Sequence, residues 1–391
     1  MKRITINNLL SIAVISSLLV ACNSSSNENQ STSSSIGKAA DDYIAGATVC
    51  ADVNNNSIAD DGAENCVQTD AQGNFRFSTV RTEPLVMSGG VDIGTGQEFR
   101  GSLMAPTGST IINPLTTLIS SVQKEGNVTA QEAQEIVKNS LGLNSSNTSL
   151  TTLNSYKKNS LASAPNFYID LTRFDPLAGL QFGTNTTTRE RAQQVLIQQT
   201  TIQVILTITA TTISASSRNI DHRIVTIEAS NQIARLMVSP SNINRPLQIS
   251  SEETIQTIVE ETAQQTFSEN TESNREALAS VGAVQDVVAR QIRAVTQTVS
   301  TNIGAVSVNS PESALRAIRA SNAGVLLVTD NQSEDSVASI IQEAVSTGET
   351  EALASVDIET EIDSSEANLI ERPEITQPEI VRPTGGEGGT A

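Results

Sequence analysis

The chain has 391 residues, with 43 acidic against 24 basic side chains, a formal charge of -19, no tryptophan and only 3% aromatic residues. Such a length leaves room for two or three domains and a sizeable core, while the charge argues against nucleic acid as a partner, whose phosphates would be repelled rather than neutralised. The apolar content rests on small aliphatic side chains, which suit helix interfaces better than the aromatic-lined pockets of small-molecule sites, and the acidic balance suits divalent cations.

Lys2 and Arg3 precede an apolar run from Leu9 to Ala21 that ends in Leu19-Val20-Ala21-Cys22. A charged start, a short apolar core and a small residue before the cut are the features of a secretory signal, and the run is shorter than the roughly 20 residues a membrane span needs. The cysteine at the cut resembles the bacterial lipobox. Residues 1–21 are therefore expected to be a lipoprotein signal peptide, and Cys22 the first mature residue, carrying lipid on its sulfur and anchoring the chain to a membrane. Asn23 is not the Asp associated with inner-membrane retention in enteric bacteria, which points to the outer membrane. Residues 22–42, rich in Ser and Asn, read as a flexible tether with a span of about 20–25 Å.

From Tyr43 the pattern changes to strands broken by turn residues. Ala47, Val49 and Ala51 alternate with Thr48 and Cys50; Cys66-Val67-Gln68-Thr69 and Asn74-Phe75-Arg76-Phe77 flank Asp70-Ala71-Gln72-Gly73. Gly73 supplies the positive φ of a hairpin turn, and Phe75 and Phe77 share a face. Leu85 to Met87 and Phe99 to Met104 continue the strands. Residues 43–110 are expected to form a small antiparallel β-sandwich. Cys50 and Cys66 are an even pair in an exported chain and read as a disulfide, which contributes about 3 kcal/mol in the chain-entropy model.

Between these cysteines, Asp52, Asn54, Asn56, the Ile58 carbonyl and Asp60 stand at the alternating positions from which a tight loop supplies hard oxygens to calcium. The twelfth position is Ala63, so Glu64 or Asp61 must close the shell, and Ser57 stands where glycine usually permits the turn. The expected affinity is that of extracellular modules, roughly 10⁻⁴ to 10⁻³ M.

Beyond residue 110 the period becomes helical. Asn113-Pro114 is a helix start, Thr129 with Glu132 and Ser250 with Glu253 read as capping boxes, and Ser310-Pro311-Glu312 opens a short helix. Ile255, Ile258, Val259, Ala263 and Phe267 follow helical spacing, as do Val281, Val284, Val288, Ile292, Val295 and Val299. Val195 to Ile213 carries no charge but many threonines and glutamines, which disfavours a membrane span; it reads as a long packed helix, with a strand as the alternative. The class is thus α+β: the β-sandwich, an α-helical bundle region over 111–357, and a tail over 358–391 rich in Glu, Pro and Gly that is expected to be disordered.

Tyr43 to Phe77 resembles the calcium-loop β domains of bacterial surface proteins, the serine-aspartate-repeat B-type and collagen-adhesin B-type modules. The Thr69 to Phe75 turn is also similar to that of the transthyretin-like carboxypeptidase regulatory domain. Gly89-Gly90-Val91-Asp92, Thr95-Gly96, Ala105-Pro106, Asn113 to Leu118 and Asp170 to Leu177 resemble segments beside such domains in large secreted adhesins. The likeness ends near Leu180 and implies a structural or adhesive surface role rather than a reaction.

No nucleophile elbow, His-Glu-x-x-His pair or Cys-x-x-Cys motif is present. His222, the one histidine, is expected to be solvated; Glu260-Glu261 reads as a solvated face, and Gly94-Thr95-Gly96 as a turn. The expectation is a non-enzymatic lipoprotein of the outer membrane, its helices presented to an envelope or host-surface protein. A periplasm-facing scaffold is the alternative, and an envelope hydrolase a more distant one.

Overall fold

The computed structural model describes residues 34–40, 42–59, 64–143, 169–217, 220–243 and 245–310, with a few positions between 312 and 347. The expected signal peptide, Cys22, most of the tether, Asp60, Pro311 and the tail lie outside the described residues.

The β region is built from β1 (Ile36–Ala39), β2 (Ile44–Ala45), β3 (Thr48–Ala51), β4 (Cys66–Gln68), β5 (Asn74–Arg76), β6 (Leu85–Ser88), β7 (Val91–Asp92), β8 (Ser102–Ala105) and β9 (Ile111–Ile112). They pair as sheets of order β5-β1-β9, β2-β7 and β4-β3-β6-β8. Ala39, Phe75 and Ile112 from the first sheet meet Val49, Leu85, Met87, Leu103 and Ala105 from the third in one apolar cluster. Side-chain alternation along a strand gives each sheet this inward face.

Three expectations are corrected here. The first strand lies inside the stretch read as tether, and Lys38 on it is buried. Its composition gives little warning, because the contacts that order it come from elsewhere: Phe75 packs against Gly37, and β5 and β9 flank it. The sandwich is also not wholly antiparallel, since β1 and β9 run parallel with Lys38 opposite Ile111 and Ala39 opposite Ile112. Finally, the Asp70–Gly73 turn does not close a hairpin. Gly73 has the expected positive φ of 76°, and Asp70 Oδ1 accepts from the N–H groups of Gln72 and Asn74. Yet β4 joins one sheet and β5 the other, so the turn carries the chain across the sandwich. Phe75 and Phe77 do share an interior, edge to face with centroids 6.0 Å apart.

Seven helices follow among the described residues: α1 (Pro114–Gly126), α2 (Ala130–Ser140), α3 (Pro176–Phe182), α4 (Thr186–Ser216), α5 (His222–Val238), α6 (Glu252–Thr266) and α7 (Glu272–Ala305). Asn113 and Thr129 cap α1 and α2 with reciprocal boxes. The cap of α6 is Ser251, one residue later than expected, its hydroxyl accepting from the Thr254 N–H. The aliphatic seams of α6 and α7 are buried as their spacing predicts.

The uncharged stretch forms most of α4, a helix buried on nearly every side. Among the described residues no helix is long and apolar enough to cross a membrane. Some polar side chains of α4 have internal partners: Thr212 Oγ1 donates to the Ile208 carbonyl at 2.8 Å, and Gln193 Nε2 donates to the Ile303 and Val306 carbonyls at 2.6 and 2.9 Å; the Thr209 hydroxyl is buried without one. The Gln193 pair satisfies acceptors at the carboxyl end of α7, where helical carbonyls lack intrahelical partners.

The β region docks on the bundle through backbone as well as apolar contact. Met104 on β8 donates its N–H to Thr117 Oγ1 at 2.9 Å, and its carbonyl accepts from Thr116 Oγ1 at 2.8 Å. The outer edge of the sheet is thereby satisfied by side chains of α1, as a protected edge requires. Tyr43 and Ile111 join the main helical core.

Gly37 shows how tightly β1 is seated. A Cβ there would lie 2.4 Å from Phe75 Cζ and 2.7 Å from the Thr110 carbonyl oxygen. Gly37→Ala is expected to destabilise the fold by about 1–3 kcal/mol through overpacking, measured as a lower midpoint in chemical denaturation.

Candidate functional site

The loop between β3 and β4 starts from a firm foot. Cys50 and Cys66 face each other across the two strands and form a disulfide, as the exported-pair argument expected. Asp52, two residues on, is buried at 4% exposure while Val53 to Asn56 are exposed.

Side-chain oxygens then hold the backbone in successive turns. Asp52 Oδ1 accepts from the Asn56 N–H at 3.0 Å and Oδ2 from the Ser57 N–H at 3.1 Å. Asn54 Oδ1 accepts from the Asn56 N–H and Asn56 Oδ1 from the Ile58 N–H, both at 2.9 Å. Short polar side chains favour this local bonding over regular structure. Ser57, where glycine was missed in the sequence, is left-handed at φ 63°, and so is Asn55 at 57°; the serine holds a conformation that glycine adopts at lower cost. Glu64 returns to the loop's start, its Oε1 accepting from the Val53 N–H at 2.9 Å.

The structure thus gathers Asp52, Asn54, Asn56 and Glu64 on one short loop that Ile58 also belongs to; Asp60 and Asp61 lie outside the described residues. Among the described residues, no group of three or more His, Cys, Asp or Glu side chains forms a metal centre. The remaining side-chain donors here are amide oxygens, which calcium also takes as ligands. Two observations bear on whether such an ion fits. Oxygens that accept one N–H keep a second lone pair, and Glu64 Oε2 is buried with no hydrogen-bond partner. Burial also pushes the Asp52 carboxyl above its ordinary value, against the lowering by the N–H groups of Ser57, Asn56 and Asn55.

A second polar cluster, not anticipated from the sequence, lies at the joint of sheet and bundle. The Lys38 ammonium stands 3.7 Å from the centroid of the Tyr43 ring, and Tyr43 donates its hydroxyl to Asp175 Oδ2 at 2.8 Å. Asp175 also caps α3. Burial lowers the Lys38 ammonium from its ordinary value, opposed by the charges of Asp175 and Asp70, and raises the Tyr43 hydroxyl. Asp42, beside Tyr43, pairs with Arg319 at 3.4 Å. The Asp-Pro start of α3 was readable as a cap; the lysine, within a polar tract, gave no such sign.

His222 corrects the expectation of a solvated imidazole. It follows the cap Asp221 at the start of α5, with Nε2 3.4 Å from Thr211 Oγ1 and Nδ1 3.5 Å from Thr226 Oγ1. Among the described residues, the charges of Arg100 and Asp221 act on it, together with a hydrogen bond to the Arg100 backbone. Glu260 and Glu261 are exposed, as expected, and Gly94-Thr95-Gly96 is a turn in which Asp92 Oδ1 accepts from the Thr95 N–H and hydroxyl.

Comparison of the chain with protein-family models, curated proteins and solved structures finds no match.

Burial, and then the Arg100 charge, push the His222 imidazole down from 6.5 to about 4, so the fold holds it neutral. The unfolded chain takes up this proton at higher pH than the folded one. The stabilisation is therefore complete above 6.5 and is lost as pH falls from 6.5 to about 4. Across that window the wild type should lose about 2–3 kcal/mol more than His222→Gln, measured by denaturant titration at each pH.

Proposed function

We propose that this is an exported, lipid-anchored protein of the bacterial envelope with a structural or adhesive role, in which the β3–β4 loop takes up calcium. The observation that carries this reading is the Cys50–Cys66 disulfide at the foot of an oxygen-rich loop. Structural disulfides belong to oxidising compartments, in agreement with an export signal ending at Leu19-Val20-Ala21-Cys22. Outer-membrane placement follows from Asn23, as argued above.

Calcium would be held by Asp52, Asn54, Asn56, the Ile58 carbonyl, Asp60 and Glu64, with the disulfide fixing both ends of the loop so that less conformational entropy is lost on binding. The ion would neutralise the buried Asp52 carboxylate and give the unpartnered Glu64 Oε2 a positive neighbour. Its part is structural: it stiffens the loop, while the bundle supplies the surface offered to an envelope or host protein. The reading as an adhesin-like module rests on the resemblance of Tyr43 to Phe77 to the calcium-loop domains named above.

Metabolic labelling with an alkyne fatty acid should mark the wild-type chain and leave Cys22→Ala unmarked. An unlabelled wild type refutes the anchor.

Calcium at about 10 mM should stabilise the mature chain by about 1–3 kcal/mol, given an extracellular-type affinity. Asp52→Asn should lose most of that increment, and reduction of the disulfide should shrink it. Thermal melts with calcium and with chelator decide the matter; identical curves would remove the metal from the reading.

A further inference from the structure

We propose that β1 and β9 form a shear clamp, a pair of strands placed so that a pull from the membrane anchor loads all their cross-strand bonds at once. The inference rests on the anchoring reading above, which puts the load on the amino-terminal side of β1, and on the topology described here.

β1 is the first described element, and β9 leads straight through Asn113 into α1. The two strands are parallel neighbours. A load between the start of β1 and the first helix draws β1 toward its amino end and β9 toward its carboxyl end. Parallel strands pulled in that way must slide past one another. Their hydrogen bonds lie across the line of pull and share the load, whereas strands peeled from one end lose their bonds singly.

The bonds are in place on both sides of β1. Lys38 donates its N–H to the Thr110 carbonyl at 2.9 Å and Ala40 to Ile112 at 2.8 Å. On the other side Ala39 donates to Gly73 at 2.9 Å and Phe77 to Ser35 at 2.8 Å. Two side chains pin the strand against sliding. Gln199 Nε2, fully buried on α4, donates to the Ala40 carbonyl at 2.8 Å. The Lys38 ammonium, 3.7 Å from the Tyr43 ring centroid, cannot move along the strand direction without leaving that ring for a poorer environment. Phe75 over Gly37 closes the remaining space.

The β1–β5 pair offers an internal control, because it is antiparallel and Ile36 faces Arg76. Handles at Ser34 and Thr79 therefore sit at one end of that pair and peel it open. Handles at Ser34 and Asn127, just after α1, load β1 against β9 in shear. The experiment is single-molecule force spectroscopy on the full mature chain, with handles joined through non-natural residues so that no added thiol competes with the disulfide. Rupture in the shear geometry is expected at a force at least about twofold above that in the peeling geometry, at equal loading rate, since forced unfolding reads the barrier rather than the equilibrium. Gln199→Ala should lower the shear force and leave the peeling force unchanged. Equal forces in the two geometries for the wild-type chain overturn the clamp, and that comparison uses one folded protein throughout. The clamp's failure is read in the force trace and the anchor's in the acyl label, so the two are told apart.

Discussion

One buried amide joins the two halves of the molecule. Gln199 donates from Nε2 to the Ala40 carbonyl at the end of β1 and accepts at Oε1 from Asn113 Nδ2 at 3.0 Å. Asn113 is itself the cap of α1. A single side chain of α4 thereby fixes the exit of the first strand and the entry to the first helix. Both partners are buried, so neither could fall back on water, and an unpartnered buried group costs about 1–3 kcal/mol. The orientation of sheet on bundle follows from this and from the threonine pair that α1 presents to Met104.

The same logic explains a core with little aromatic mass. Small aliphatic residues and threonines let helices approach closely, and hydroxyls and amides then find partners across the gap. Ser121 and Ser230 meet at 2.8 Å between α1 and α5, and Arg235 on α5 reaches Glu125 on α1 at 2.8 Å. Such polar interiors specify one arrangement when their groups are paired. Charged pairs at the surface, such as Arg223 with Asp221, contribute far less.

The candidate calcium loop lies beside the bundle: Ala59 packs against the cluster of Val86, Met104 and Ile227 of α5, and the Lys124 charge on α1 reaches Asp52. Its shape is set locally, by aspartate and asparagine oxygens that accept the loop's own N–H groups. On the proposed reading, the β region would meet the anchor and the cation, and the helices a partner.

What the residues determined alone were the features with local causes. Asn113-Pro114, Thr129 with Glu132, the turn at Gly73 and the helical seams of α6 and α7 were legible because a cap, a positive φ or a 3.6-residue period needs only neighbours in the chain. The disulfide and the alternating oxygens of the β3–β4 loop were legible too, since spacing along the chain sets both. Tertiary structure decided the rest. It drew Lys38 out of a polar tract into a strand, ran β9 parallel to β1, sent β4 and β5 to different sheets, and set a half-buried His222 between α4 and α5. The deciding partners lie far along the chain: Asp175 for the lysine, Arg100 for the histidine, Gln199 for the end of the first strand. A residue's own neighbours determine its backbone preference, but its burial and its partner depend on which distant surface arrives, and that is settled only when the chain closes on itself.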